Sequence, residues 1–81
     1  MVDVRSEAEH AGGNIAGALN IPLAHLDERS GEIPVDRPVA VHCEEGYRSA
    51  IAASLLQKLG RRDVHDLVGG YKAWRAAKLH A

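Results

Sequence analysis

A second cysteine is missing from this chain of 81 residues, so no intramolecular disulfide can staple it. An excess of charge is missing too: 10 Lys and Arg face 11 Asp and Glu, for a formal net charge of -1 and a pI near 6.5. That balance supplies no strong attraction for a polyanion or an anionic membrane, which excludes nucleic acid and membrane as default partners. No stretch approaches the roughly 18 consecutive apolar residues that a membrane-spanning helix needs. The N-terminal segment has neither the basic flank nor the apolar run of a signal peptide. With no secretory signal and a single cysteine, the expected compartment is the reducing cytoplasm. Repeats, low-complexity tracts and linker-like runs are absent as well, and the length allows one domain over 1–81.

What is present is an ordinary globular composition, 46% hydrophobic and 26% charged, with the two signs well mixed. A chain this short buries only about 60–65% of its unfolded surface, so every element must contribute to the core. Short apolar runs alternate with helical patterns. Residues 2–4 read as a strand, and Ser6 reads as the N-cap of a helix that ends at Gly12 and Gly13. Residues 18–21 form a second β-like run, and Pro22 opens a helical stretch with Leu23 and Leu26 that ends at Ser30 and Gly31. The run Val39-Ala40-Val41-His42-Cys43 suits a central strand buried on both faces. A helix is expected over 49–59, with an apolar face of Ile51, Ala52, Leu55, Leu56 and Leu59. A strand over 64–68, a Gly69-Gly70 turn and a helix over 71–79 anchored by Trp74 complete the chain. Strands alternating with helices at this spacing predict an α/β layer fold on a parallel sheet.

The informative segment is the buried strand ending at Cys43, the Gly-containing loop after it, and the helix that follows. In open α/β sheets ligands bind at the carboxyl ends of strands. There the unpaired N–H groups of residues 45–48 can curl around the sulfur, and the helix dipole adds partial positive charge. Both effects favour the thiolate, which is the reactive species. Gly46 permits the backbone angles such a cradle needs. A free cysteine is more often a small buried core residue. Its place at a strand end, before a glycine loop and a helix start, instead points to chemistry.

The string Cys43-Glu44-Glu45-Gly46-Tyr47-Arg48-Ser49 resembles the active-site loop of rhodanese (sulfurtransferase) domains. Asp3-Val4-Arg5-Ser6 is similar to the family's early D-V-R segment, and the run from Gly13 to Pro22 to its G-H-I-P-G-A-x-N-I-P segment. Leu67-Val68-Gly69-Gly70-Tyr71-Lys72-Ala73-Trp74 is similar to its L-x-G-G-x-x-A-W signature. The motifs follow family order along nearly the whole chain. The loop and the helix after it most resemble rhodanese domains associated with persulfide dioxygenases. The resemblance implies a three-layer α/β fold with a small parallel sheet, here lacking the family's usual N-terminal strand and helix. Asn14 and Ala16 stand where the family usually has His and Pro. Glu44 and Glu45 put two carboxylates in a loop that often holds neutral or basic residues, so a dianionic donor should be repelled.

Arg48 either orients a substrate anion or forms a buried ion pair with Asp3, and the ion pair is preferred because the site suits bidentate pairing. Arg5 either faces the pocket or is a solvated surface side chain. His42 alternates with Cys43 along the strand, so it points to the opposite face and reads as a core residue, not a base. His10, His25, His65 and His80 show no metal-ligand spacing with each other or with Cys43. Tyr71 and Trp74 read as packing residues, and Tyr47 as either a pocket border or an outward side chain.

By resemblance, Cys43 is the nucleophile of a sulfurtransferase, Glu44, Glu45, Gly46, Tyr47, Arg48 and Ser49 form its loop, and Asp3 and Arg5 support it. Sulfane sulfur would pass from thiosulfate or a low-molecular-weight persulfide to cyanide or a thiol through a Cys43 persulfide, with no metal or organic cofactor. The alternative is a non-catalytic rhodanese-like binding or regulatory module. The family's phosphatases carry a longer loop for a tetrahedral oxyanion, whereas four residues separate Cys43 from Arg48 here. The absent strand and helix would leave a sheet edge unpaired, which predicts self-association as a homodimer.

Overall fold

The computed structural model describes residues 1–80, with side chains through 77. Four strands, β1 (Val2–Asp3), β2 (Leu19–Asn20), β3 (Val39–His42) and β4 (Val64–Asp66), form one sheet in the order β2-β1-β3-β4. Every pairing is parallel, with Val2 opposite both Leu19 and Val41, Asp3 opposite His42, and Val41 opposite Asp66. The helices are α1 (Glu7–Gly12), α2 (Leu26–Arg29), α3 (Tyr47–Lys58) and α4 (Gly70–His80). Short 3-10 turns flank α2 at Leu23–His25 and Ser30–Glu32. The expected α/β fold with a small parallel sheet is therefore observed.

Alternation along the strands assigns the two faces. Val2, Val4, Val39, Val41 and Cys43 point into one apolar cluster with Ile21, Leu26, Ile33, Ala52 and Leu56, so α2 and α3 cover that face. Asp3, Arg5 and His42 point the other way and are also buried, toward α1 and α4. His42 is thus the core residue expected of it, and burial pushes its pKa down, so it is neutral near pH 7. Its Nε2 has no hydrogen-bond partner among the described residues.

Several boundaries differ from the sequence reading. The stretch after Pro22 runs on past Gly31 as a 3-10 turn, because Arg61 holds the carbonyls of Ser30, Ile33 and Pro34 at 2.8–2.9 Å. Helix α3 begins at Tyr47, two residues earlier than expected, directly after the left-handed Gly46. Its buried face is Ser49, Ala52 and Leu56, while Ile51 and Leu59 are 47% and 43% exposed. The apolar arc of that helix is wider than the sheet can cover. Strand β4 stops at Asp66, leaving Val68 exposed before the glycine turn. The side chain of His80 lies outside the described residues.

Candidate active site

Cys43 follows the last residue of β3 and is 1% exposed. The next residues turn back over it because Gly46 adopts φ +107°, a left-handed conformation that costs a glycine little. That turn aims the Gly46 N–H at Cys43 Sγ, at 3.0 Å, and starts α3 with its positive end beside the sulfur. Ser49, fully buried on the first turn of α3, places Oγ 3.5 Å from Sγ. Burial alone would push the thiol pKa up. The backbone amides of Ser49, Gly46 and Glu45, donating toward the sulfur, outweigh it and hold the pKa below 9.0.

The other side of the loop is fixed by α4. Tyr71 N–H donates to the Cys43 carbonyl at 2.7 Å and Lys72 N–H to the Glu44 carbonyl at 2.9 Å. These two carbonyls are thereby claimed on the side away from the sulfur. The approach requires glycine at position 70, where φ is +63° and a Cβ would lie 2.5 Å from the Cys43 carbonyl oxygen and 2.7 Å from that of Glu44. The glycine pair, read in the sequence as a turn, is therefore part of the site.

A shallow depression over the sulfur is lined by Glu9, Cys43, Glu44, Glu45, Tyr47 and Arg48. Arg48 does not reach Asp3, contrary to the expected ion pair. It donates twice to Glu9 of α1, at 2.7 and 2.8 Å, and this bidentate bond holds the Glu9 carboxyl down at about 2. Asp3 is already taken. Arg5, two residues beyond Asp3 just past the end of β1, donates to it from Nη2 at 2.8 Å and from Nε at 3.0 Å, and His10 Nδ1 lies 2.8 Å away. Burial works to raise the Asp3 pKa, but these hydrogen bonds more than offset it and hold the carboxyl below its ordinary range.

Arg5 is 2% exposed, so it is not a solvated side chain. It also bonds the Gly13 carbonyl at 2.7 Å and Glu44 at 3.2 Å, and stacks over the Tyr71 ring at 4.3 Å. It supports the loop from behind and does not line the depression over Cys43. Tyr71 stacks on Trp74 in turn, with ring centroids 5.8 Å apart. Glu45 lies 3.6 Å from Lys72, and Tyr47 is 80% exposed at the rim. Glu44 and Glu45 thus each have a cation at hand, which reduces the negative field that their sequence implied.

Three contributors were not singled out from the sequence. Glu9 is an acid of the first helical turn: its carboxylate accepts the Ser6 N–H while Ser6 Oγ accepts the Glu9 N–H. The same carboxylate holds Arg48. Gly70 and Asp66 are the others; Asp66 accepts the Ser49 hydroxyl at 2.6 Å. Among the described residues no group of His, Cys, Asp and Glu could hold a metal ion.

A cysteine sulfur at a strand end, ringed by amide donors at the start of a helix, is the arrangement that the family resemblance required. The chain also matches the description of the rhodanese-like domain over residues 1–77. It belongs to the rhodanese-like family. A relative in Bacillus subtilis, the uncharacterized protein YqhL, is 45% identical over 91% of this chain and 59% of its own length. A sulfurtransferase of Allochromatium vinosum is 42% identical over 91% of this chain and 69% of its own. The thiosulfate sulfurtransferase GlpE of Coxiella burnetii is 34% identical over 94% of this chain and 71% of its own. This rhodanese-like chain therefore spans about three fifths to seven tenths of these relatives. The crystal structure of a rhodanese-related protein from Thermoplasma volcanium superposes with a TM-score of 0.86 at 38% identity, covering 94% of this chain and 76% of that one.

Proposed function

We propose that this rhodanese-like domain is a sulfurtransferase in which Cys43 carries the sulfur. The observation behind this reading is the buried Sγ with the Gly46 N–H aimed at it and its pKa held low. The Cys43 thiolate attacks the outer sulfur of a donor. A new S–S bond forms, the donor's own bond to that sulfur breaks, and sulfite leaves from thiosulfate or a thiolate from a small persulfide. The outer sulfur of the Cys43 persulfide then passes to cyanide, giving thiocyanate, or to an acceptor thiol, and the thiolate is restored. Arg48 is engaged by Glu9, so anion binding falls to the loop amides. With Arg48, the cation among the residues lining the depression, already held, this arrangement supports a low-molecular-weight persulfide over dianionic thiosulfate as donor.

Mass spectrometry of the protein incubated with thiosulfate or, separately, glutathione persulfide tests the reading. One sulfur gained on Cys43 is expected, more completely from the persulfide. Cys43→Ser should keep the fold and lose at least about 100-fold in transfer, since a hydroxyl is a far weaker nucleophile. A protein that gains no sulfur from either donor would favour the non-catalytic binding module.

A further inference from the structure

Ser49 has one hydroxyl proton and two neighbours that can accept it. Asp66 Oδ1 lies 2.6 Å from Ser49 Oγ, while Cys43 Sγ lies 3.5 Å away. The parallel register creates this triangle: Val41 pairs with Asp66, so Asp66 shares the face that Cys43 also points to, and α3 packs on that face. Ser49 is buried and sits between them. At 2.6 Å the bond to a carboxylate is short and charge-assisted, and the contact to sulfur is long and weaker.

We propose that Asp66, acting through Ser49, is a positioning residue that sets the charge balance at Cys43. By claiming the hydroxyl proton, Asp66 turns a lone pair of Ser49 Oγ toward the sulfur. That lone pair accepts from the thiol S–H and opposes negative charge on Sγ, against the amide donors of Gly46, Glu45 and Ser49 that favour it. A sulfur held between these influences ionises less readily but attacks harder once ionised, because thiolate nucleophilicity falls as its pKa falls. When the sulfur-transfer reading holds, this sharpens the attack on the donor: the Sγ–S bond forms, the donor's bond breaks, and no proton moves on Ser49. The other charged groups around the sulfur are Glu44, Glu45 and Arg48 of the loop and Glu9 of α1, with Arg5 just after β1 and Lys72 of α4 paired to the loop carboxylates. Within this set Asp66 alone is linked to Cys43 through the Ser49 hydroxyl.

The chain has one cysteine, so the rate of its alkylation by iodoacetamide against pH reports the Cys43 thiol directly. Asp66→Ala and Asp66→Leu both leave the Ser49 proton free for the sulfur. Each is expected to raise the thiolate-to-thiol ratio by roughly tenfold, the effect of about one hydrogen bond to a charged group. With Ser49→Ala already in place, the same Asp66 substitutions should change the ratio less than about threefold. An unchanged titration in both Asp66 variants overturns the proposal. So does an equal shift with and without Ser49, which would mean a plain through-space charge. Ser49→Ala alone should not make Cys43 harder to ionise; if it does, Ser49 was donating to the sulfur and the assignment is wrong. None of these readouts needs a sulfur donor, so a protein that takes up no sulfur would fail the functional reading and leave this one standing.

Discussion

Helix α3 carries Ala52 and Leu56 into the apolar cluster under the sheet, whereas α1, on the other side of the Cys43 loop, buries none of its own residues. What holds α1 is polar: Glu9 to Arg48, His10 to Asp3, and Arg5 to the Gly13 carbonyl just past its end. The same site is therefore bounded by one wall set by burial and one set by charge. Apolar burial is insensitive to salt and nearly so to pH, while ion pairs respond to both. The loop's anchoring to α1 is therefore conditional, and its anchoring to α3 is not.

Substitutions can break the two walls separately. The largest effect is expected from Leu56→Ala, which should cost about 3–4 kcal/mol in chemical denaturation, equally at low and high salt. A clear salt dependence of that loss would remove the distinction. Arg5→Ala comes next, at about 3 kcal/mol near pH 7, because Asp3 stays buried with only part of its pairing. Its sign with pH is fixed. The Asp3 carboxyl is held below its ordinary 3.8 in the fold, so its contribution is full above that value and fades as pH falls through the folded pKa. The gap between Arg5→Ala and the unsubstituted protein should accordingly narrow below about pH 4, and a constant gap down to pH 2 would refute the assignment.

The smallest loss is expected from Glu9→Gln, about 1 kcal/mol, since Glu9 and Arg48 are each 35% exposed and solvent screens the pair. The Glu9 carboxyl titrates at about 2 in the fold against an ordinary 4.5, so its contribution is full above 4.5 and is lost as pH falls toward 2. Added salt should erase most of the difference. Amide exchange sharpens the point: α1 should open faster in Glu9→Gln, with α3 unchanged. Equal acceleration in both helices would show that the walls are one cooperative unit.

Element order and the Cys43 loop were legible because both are local: a buried run, a glycine and a helix start lie within a few residues of each other. The partner of Arg48 was not, because Asp3 and Glu9 are both acids far away in the chain and only the fold chooses between them. Strand alternation held the missing clue, since Arg5 shares a face with Asp3 and lies far nearer to it than Arg48 does. Burial of Ile51 and Leu59 was over-read for a related reason. Periodicity marks an apolar arc, but the width of the sheet decides how much of it is covered. Asp66 carried no signal of its own, since its role depends on a strand register that no single segment encodes.

The clamp that α4 places on the loop carbonyls sets an order of events in the making of the nucleophile. Cys43, Gly46 and Ser49 all emerge from the ribosome before Gly70, Tyr71 and Lys72. Until the first turn of α4 docks, the Cys43 and Glu44 carbonyls lack the donors that fix them on the side away from the sulfur. Those donors arrive when the glycine at position 70 lets the last helix close against the two carbonyls. The sulfur's cradle is thus completed by tertiary closure from a segment more than twenty residues further along the chain, not by the loop alone.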